Sequence, residues 1–119
     1  MSRRFTRPLA LLVTLLCATA QAQVGQTDWR AGDLPVTLTY PTAATATPQV
    51  RGPFTITVAP DAAPLERRQR LVVISHGTGG SAIADHALAD QLARAGFVVA
   101  QPLHRGDNYR DTRDAGPVA

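Results

Sequence analysis

The sequence LVVISHGTGGS at residues 71–81 places four aliphatic residues directly before a glycine cluster. A continuous apolar run of this kind is typical of a strand that is buried on both faces of a parallel sheet. The helical pattern that follows completes a strand, a tight loop and a helix. Such a loop aims backbone N–H groups at one point in space, which suits an anion or a developing oxyanion.

Downstream of the glycines, apolar residues recur at spacings of three and four, as on the buried face of a helix. They are Ala84, Leu88, Leu92 and Ala95. The spacing predicts a helix over residues 81–95 that stops at Gly96. A second apolar strand is predicted over residues 97–100. Strand, helix and strand in this order form a right-handed crossover unit.

Upstream of the glycines, alternating apolar and polar residues predict two half-buried strands, over residues 35–40 and 54–58. Residues 41–53 between them are rich in Ala, Thr and Pro, and predict a mobile surface loop. The crossover helix covers one face of this sheet, and no other segment is available for the second face. The sequence therefore predicts an α/β fold in incomplete form.

Residues 1–22 have the layout of a secretory signal peptide. Three arginines, Arg3, Arg4 and Arg7, precede an apolar run over residues 9–16, and small residues lead up to Ala22. The run is about half as long as the roughly 20 residues that a membrane-spanning helix needs. We therefore expect cleavage after Ala22, export to the periplasm or beyond, and no stable membrane anchor.

Removal of this segment changes the charge balance. The whole sequence has 12 basic and 9 acidic residues, and three of the basic ones leave with the signal. Residues 23–119 then carry no net formal charge, so no electrostatic case for a nucleic acid partner remains. The single cysteine, Cys17, also lies in the signal, which leaves the exported chain without a disulfide.

The glycine loop suits the stabilisation of an oxyanion. In acyl transfer the attacked carbonyl oxygen becomes negative, and fixed backbone N–H donors stabilise it as the charge forms. Glycines permit a close backbone approach and positive φ angles. Thr78 lies at the apex of the loop, and its N–H is the best candidate donor. The N–H groups of Gly77 and Gly79 are the next candidates.

Five segments of the chain share one resemblance. They are residues 33–36, 40–41, 71–81, 87–99 and 102–106. Together they resemble the first half of a secreted bacterial α/β-hydrolase of the dienelactone-hydrolase-like type, related to platelet-activating-factor acetylhydrolases. The resemblance implies that residues 23–119 are the N-terminal part of an α/β-hydrolase domain that acts on small carboxylic esters. Leu103 departs from the pattern, because relatives often have an acidic residue there.

The family's nucleophile is a serine in the pattern G-x-S-x-G. The present sequence has only Ser2, Ser75 and Ser81, and none of them lies in that pattern. Ser81 belongs to the glycine loop and is better interpreted as a helix cap. The resemblance therefore implies a serine-dependent hydrolase that is truncated before its nucleophile and is inactive alone.

The histidines are not candidates for the catalytic base. In the family the base follows the nucleophile along the chain, so His76 is predicted to brace the loop by hydrogen bonding instead. His86 is predicted to lie on a helix surface and His104 in a loop. Their spacing matches no common zinc signature, and we expect neither a metal nor a cofactor.

Two other interpretations remain open. Residues 77–82, GTGGSA, also satisfy the loose dinucleotide fingerprint G-x-G-x-x-A, and Arg105 could meet the ribose phosphate of NADP. Against this module stands the lack of an acidic residue at the end of the strand over residues 97–100. The other interpretation is a non-functional gene fragment, which shares the hydrolase ancestry and has no activity of its own.

Overall fold

The computed structural model describes residues 22–117. The predicted signal peptide falls on the undescribed residues 1–21 and on Ala22. Its cleavage, the export of the chain and the domain boundary after Ala22 all stay predictions. Within the described residues, no helix is long and apolar enough to cross a membrane.

Six strands and one helix make up the described chain. They are β1 (Gln23–Ala31), β2 (Leu34–Thr42), β3 (Thr47–Arg51), β4 (Phe54–Pro60), β5 (Arg70–Val73), α1 (His86–Arg94) and β6 (Phe97–Pro102). The strands form one sheet in the order β3-β4-β1-β2-β6-β5. β4 pairs with β1, and β5 with β6, in parallel, whereas the other neighbours are antiparallel, so the sheet is mixed.

The predicted α/β class, as the N-terminal portion of an α/β-hydrolase fold, is wrong for the described residues, which are mostly β with one helix of nine residues. Two unpredicted strands account for much of the difference. β1 lacks a regular alternation of apolar residues, and β3 lies inside the stretch that was predicted to be a mobile loop. Both form through their partners, because β1 pairs with β2 at nine positions and β3 with β4 at five.

The elements next to the glycine loop agree better with their predictions. β5 and β6 are parallel neighbours, and the strands predicted over residues 35–40 and 54–58 are β2 and β4. Gly96 follows Ala95, the C-cap residue of α1, and its φ of +98° confirms the predicted helix stop. However, residues 82–85 form turns, and α1 begins at His86 rather than at the predicted residue 81. Ser81 therefore does not cap the helix.

The buried face of α1 lies one position away from the predicted one. Ala89 and Ala93 are 1% and 0% exposed, whereas Leu88 is 53% exposed. Alanine lets the helix approach the sheet closely, and Ala93 packs in a core cluster with Val24, Ile56 and Val58 of β1 and β4. The face predicted from Ala84, Leu88, Leu92 and Ala95 is therefore wrong.

The face of the sheet away from α1 carries exposed apolar side chains. Leu71 and Val73 of β5 are 64% and 60% exposed, whereas Val99 of β6, on the α1 side, is fully buried. Leu38, Ala100 and Val73 lie side by side on that outer face, as the strand registers show. No second helix within residues 22–117 covers it.

Candidate functional site

The glycine loop leaves the end of β5 and closes in a tight turn. The N–H of Gly80 donates to the carbonyl oxygen of Gly77 at 2.9 Å. Gly79 has a φ of +70°, and Thr78 is not among the described residues with positive φ. A negative φ followed by a positive φ is typical of a type II turn, in which Thr78 and Gly79 hold the two central positions.

The backbone N–H groups of this turn differ in their partners. Gly79 N–H donates to the carboxylate oxygen Oδ1 of Asp107 at 2.8 Å. Gly80 N–H is used by the turn itself. Among the hydrogen bonds formed within residues 22–117, none uses the N–H of Gly77 or of Thr78. Of the three candidate oxyanion donors, two are therefore available in the described chain and Gly79 is already engaged.

His76 braces the loop through both of its ring nitrogens, in agreement with its predicted role. Nδ1 lies 2.8 Å from the carbonyl oxygen of Gly77, and Nε2 accepts the backbone N–H of His104 at 3.0 Å. The carbonyl is only an acceptor, so Nδ1 carries the proton. His76 is 6% exposed. Neither nitrogen is free to take a proton from a substrate.

Ser75 and His104 form a contact that sequence reasoning missed. Ser75 Oγ lies 2.8 Å from His104 Nε2, and the His104 ring stacks on that of His76 with centroids 3.9 Å apart. Both residues follow the carboxyl ends of adjacent parallel strands, and such loops meet at one edge of a sheet. That rule could have predicted the contact.

The Ser75–His104 contact has the distance of a nucleophile and its base, but not the complete arrangement. A catalytic base is normally oriented by a third group. Within residues 22–117, no carboxylate forms a hydrogen bond with His104 Nδ1. We therefore interpret the contact as a link between the two loops.

The loop after β6 is tied to the glycine loop at several points. Asn108, 6% exposed, donates from Nδ2 to the carbonyl oxygen of His104 at 2.6 Å. The N–H of Tyr109 donates to the carbonyl oxygen of Gly80 at 3.0 Å. The Asp107 and Tyr109 bonds tie the glycine turn to the loop after β6. His76 braces the turn from within the glycine loop itself.

Replacing Asp107 by alanine is expected to free the N–H of Gly79. Hydrogen bonds to charged groups contribute about 1.5 to 3 kcal/mol, so amide exchange at Gly79 should accelerate by a factor on the order of 10 to 100. The measurement is hydrogen exchange by NMR on the whole chain. Asp107→Asn keeps an acceptor oxygen and should show a smaller increase.

Asp114→Ala is the matched control for this prediction. Asp114 lies in the same loop, where its carboxylate contacts Arg113 and its backbone N–H donates to the carbonyl oxygen of Gly106, and it forms no hydrogen bond with the glycine turn. The alanine variant keeps this backbone bond. Its replacement should leave Gly79 exchange unchanged. Equal protection of Gly79 in wild type and in Asp107→Ala would show that the carboxylate does not hold this amide.

A cavity of about 840 Å³ opens beside the glycine loop and includes Gly79, Gly80 and Ser81 in its wall. Its other walls come from β1, β2, the β3–β4 turn and the loop after β6. Arg51 pairs with Asp28 in this wall through two hydrogen bonds, of 2.6 and 2.9 Å. These bonds lower the pKa of Asp28, against a smaller opposing effect of partial burial.

The site offers little support for a metal or a dinucleotide. Within residues 22–117, no group of three or more His, Cys, Asp or Glu side chains could hold a metal ion. The Asp107 carboxylate occupies the Gly79 N–H that a pyrophosphate would need, and it would repel that anion. Arg105, the candidate for a ribose phosphate, pairs instead with Asp33 of the β1–β2 turn.

Comparison with known proteins gives a likeness among the solved structures. No protein-family model matches the sequence, and no curated protein matches it. Among solved structures, the chain is similar to a ferulic acid esterase from Streptomyces cinnamoneus, with a TM-score of 0.63 and 25% sequence identity. The match covers 76% of this chain and 36% of the esterase chain. The chain thus spans about a third of the length of that enzyme.

The likeness supports a hydrolase fold and is compatible with an ester hydrolase that acts on a small-molecule ester. It does not single out the dienelactone-hydrolase-like family or the platelet-activating-factor acetylhydrolases. The resemblance found in the sequence is therefore supported at the level of an esterase and not at the level of that family.

Proposed function

We propose that residues 22–117 carry the oxyanion-stabilising loop of a serine-dependent hydrolase of carboxylic esters. The observation that carries the proposal is a braced type II turn on which the N–H groups of Gly77 and Thr78 have no partner within the described residues. The similarity to a ferulic acid esterase gives independent support.

The proposed chemistry follows from the position of these donors. When a serine attacks the ester carbonyl, negative charge develops on the carbonyl oxygen, and two fixed N–H groups can stabilise it without reorganising. Gly79 has a different role, because its N–H anchors the turn to Asp107. The serine of a G-x-S-x-G motif is not in this sequence, so it would belong to a part of the enzyme outside these 119 residues.

The 119-residue chain on its own is expected to hydrolyse no p-nitrophenyl acetate above the buffer rate. It is also expected not to react with a fluorophosphonate probe, because Ser75 and Ser81, the serines within residues 22–117, lack an oriented base. Steady-state assays and mass spectrometry of the probe-treated chain check both points. Covalent labelling of Ser75 or Ser81 would contradict this prediction and would identify a nucleophile within the chain.

A chimera tests the proposed role directly. The residues of this chain that align with the ferulic acid esterase replace the aligned segment of that enzyme, which supplies its remaining catalytic residues. Hydrolysis of p-nitrophenyl acetate by the chimera would support the proposal. A chimera that folds and reacts with the fluorophosphonate probe, yet does not turn over the ester, would count against it.

A further inference from the structure

The cavity beside the glycine loop concentrates the exposed apolar surface of the described chain. Of the six large apolar side chains that are most exposed there, three line this one cavity: Trp29, Val50 and Tyr109, at 54%, 79% and 56% exposure. Exposed apolar residues normally occur singly, and their accumulation in a concave region indicates a binding site. We call this cavity the aromatic pocket.

The walls of the aromatic pocket are held by the fold. Phe54 packs against the core cluster, and its ring lies 4.6 Å from that of His86. Gly52 of the β3–β4 turn lies close to Ile83, since a Cβ atom at Gly52 would be 3.8 Å from the end of the Ile83 side chain. Phe54 and the β3–β4 turn therefore form the packed part of the pocket wall, whereas Trp29 and Tyr109 are more than half exposed.

The charged groups of the aromatic pocket are predominantly positive. Its lining contains three guanidinium groups and one carboxylate, that of Asp28, which is paired with Arg51. Arg30 donates to a backbone carbonyl, that of Asp33, and the guanidinium of Arg110 lies 5.0 Å from the centroid of the Tyr109 ring. Within residues 22–117, neither of these two arginines forms an ion pair.

We propose that the aromatic pocket binds a small aromatic carboxylate. The ring of the ligand would contact Trp29, Phe54 and Tyr109, and its carboxylate would be attracted to Arg110 and Arg30. Aromatic side chains provide the apolar contact, and a guanidinium matches the planar geometry of a carboxylate. The inference concerns binding alone, and its test does not depend on whether the chain takes part in hydrolysis.

The chain carries a single tryptophan, Trp29, which makes its fluorescence a direct probe of the pocket. The ligand for the test is 3-phenylpropionate, which does not absorb at the excitation wavelength of tryptophan. We expect a saturable change in fluorescence. The neutral 3-phenylpropionamide and the ringless hexanoate should each bind about tenfold more weakly, because one lacks the charge and the other the ring.

Two pairs of variants locate the site. Arg110→Gln should weaken binding of 3-phenylpropionate about tenfold and leave the amide unaffected, whereas Arg113→Gln, a neighbouring arginine outside the pocket lining, should change neither. Tyr109→Ala should weaken both aromatic ligands. Leu88→Ala, which removes an exposed apolar side chain elsewhere, should leave both unchanged.

Three outcomes would overturn the inference. One is equal affinity for the carboxylate and its amide, and another is equal weakening by Arg110→Gln and Arg113→Gln, which would indicate a general charge effect. The third is an absence of binding in both the fluorescence titration and saturation-transfer NMR. None of these results bears on ester hydrolysis by the chimera, which tests the proposed function separately.

Discussion

Replacement of Thr78 by proline in the chimeric esterase is expected to lower kcat by about 100- to 1,000-fold, with little change in KM. The loss of one oxyanion donor has a cost of this size, because its hydrogen bond strengthens as charge develops in the transition state. Proline removes the N–H of Thr78 and suits its place in the turn, since the first central position of a type II turn favours proline. The turn should therefore persist without its main donor.

Thr78→Ala is the matched control, because alanine removes the side chain and keeps the N–H. Its kcat should stay within a small factor of the parent value. Steady-state kinetics with p-nitrophenyl acetate measures both variants, and fluorophosphonate labelling verifies that each active site is assembled. Equal kcat values for the proline and alanine variants would show that the Thr78 amide does not stabilise the transition state.

Gly25→Ala is expected to destabilise the chain by about 1 to 3 kcal/mol, as overpacking of a well-packed core does. A Cβ atom at Gly25 would lie 2.6 Å from Cε2 of the Tyr40 ring. Tyr40 cannot easily move away, because it is 6% exposed and its hydroxyl donates to the carbonyl oxygen of Ala62 at 2.6 Å. Urea denaturation followed by far-ultraviolet circular dichroism measures the change.

Gly116→Ala provides the comparison for this stability effect. No atom lies within 4 Å of a Cβ at Gly116, and the φ of Gly116 is not positive. The free energy of unfolding of the Gly116→Ala variant should therefore equal that of the wild type. A second alanine at Tyr40 should remove the clash, so that the double variant loses less stability than the sum of the single variants. If the two losses of stability simply add, the clash with Tyr40 is not the cause of the Gly25→Ala effect.

Much of the local structure near the glycine loop could be predicted from the sequence. The apolar runs of β5 and β6, the glycine turn between them and the stop at Gly96 are all found where their residue types indicated. Each depends on short-range preferences, such as the tolerance of glycine for positive φ. The bracing role of His76 follows from its position beside the turn.

The class of the fold could not be predicted in the same way. β1 and β3 have weak strand patterns, and they are strands because β2 and β4 offer complementary edges. The packed face of α1 was also unpredictable from the large apolar residues, since the contact with the sheet selects Ala89 and Ala93. Pairing and packing are tertiary effects, and they can override local propensity.

The sequence by itself determined that a strand ends at a tight glycine turn, because a positive φ at Gly79 and a run of aliphatic residues are local features. It did not determine the burial of that strand: Leu71 and Val73, predicted to be covered on both faces, are 64% and 60% exposed because β5 lies at the edge of the sheet. Only the tertiary structure decided which amides of that turn are available. Asp107 engages Gly79 across 28 residues of chain, and His104 meets Ser75 across 29. Such contacts depend on adjacent strands bringing distant loops together, and no short-range pattern records them.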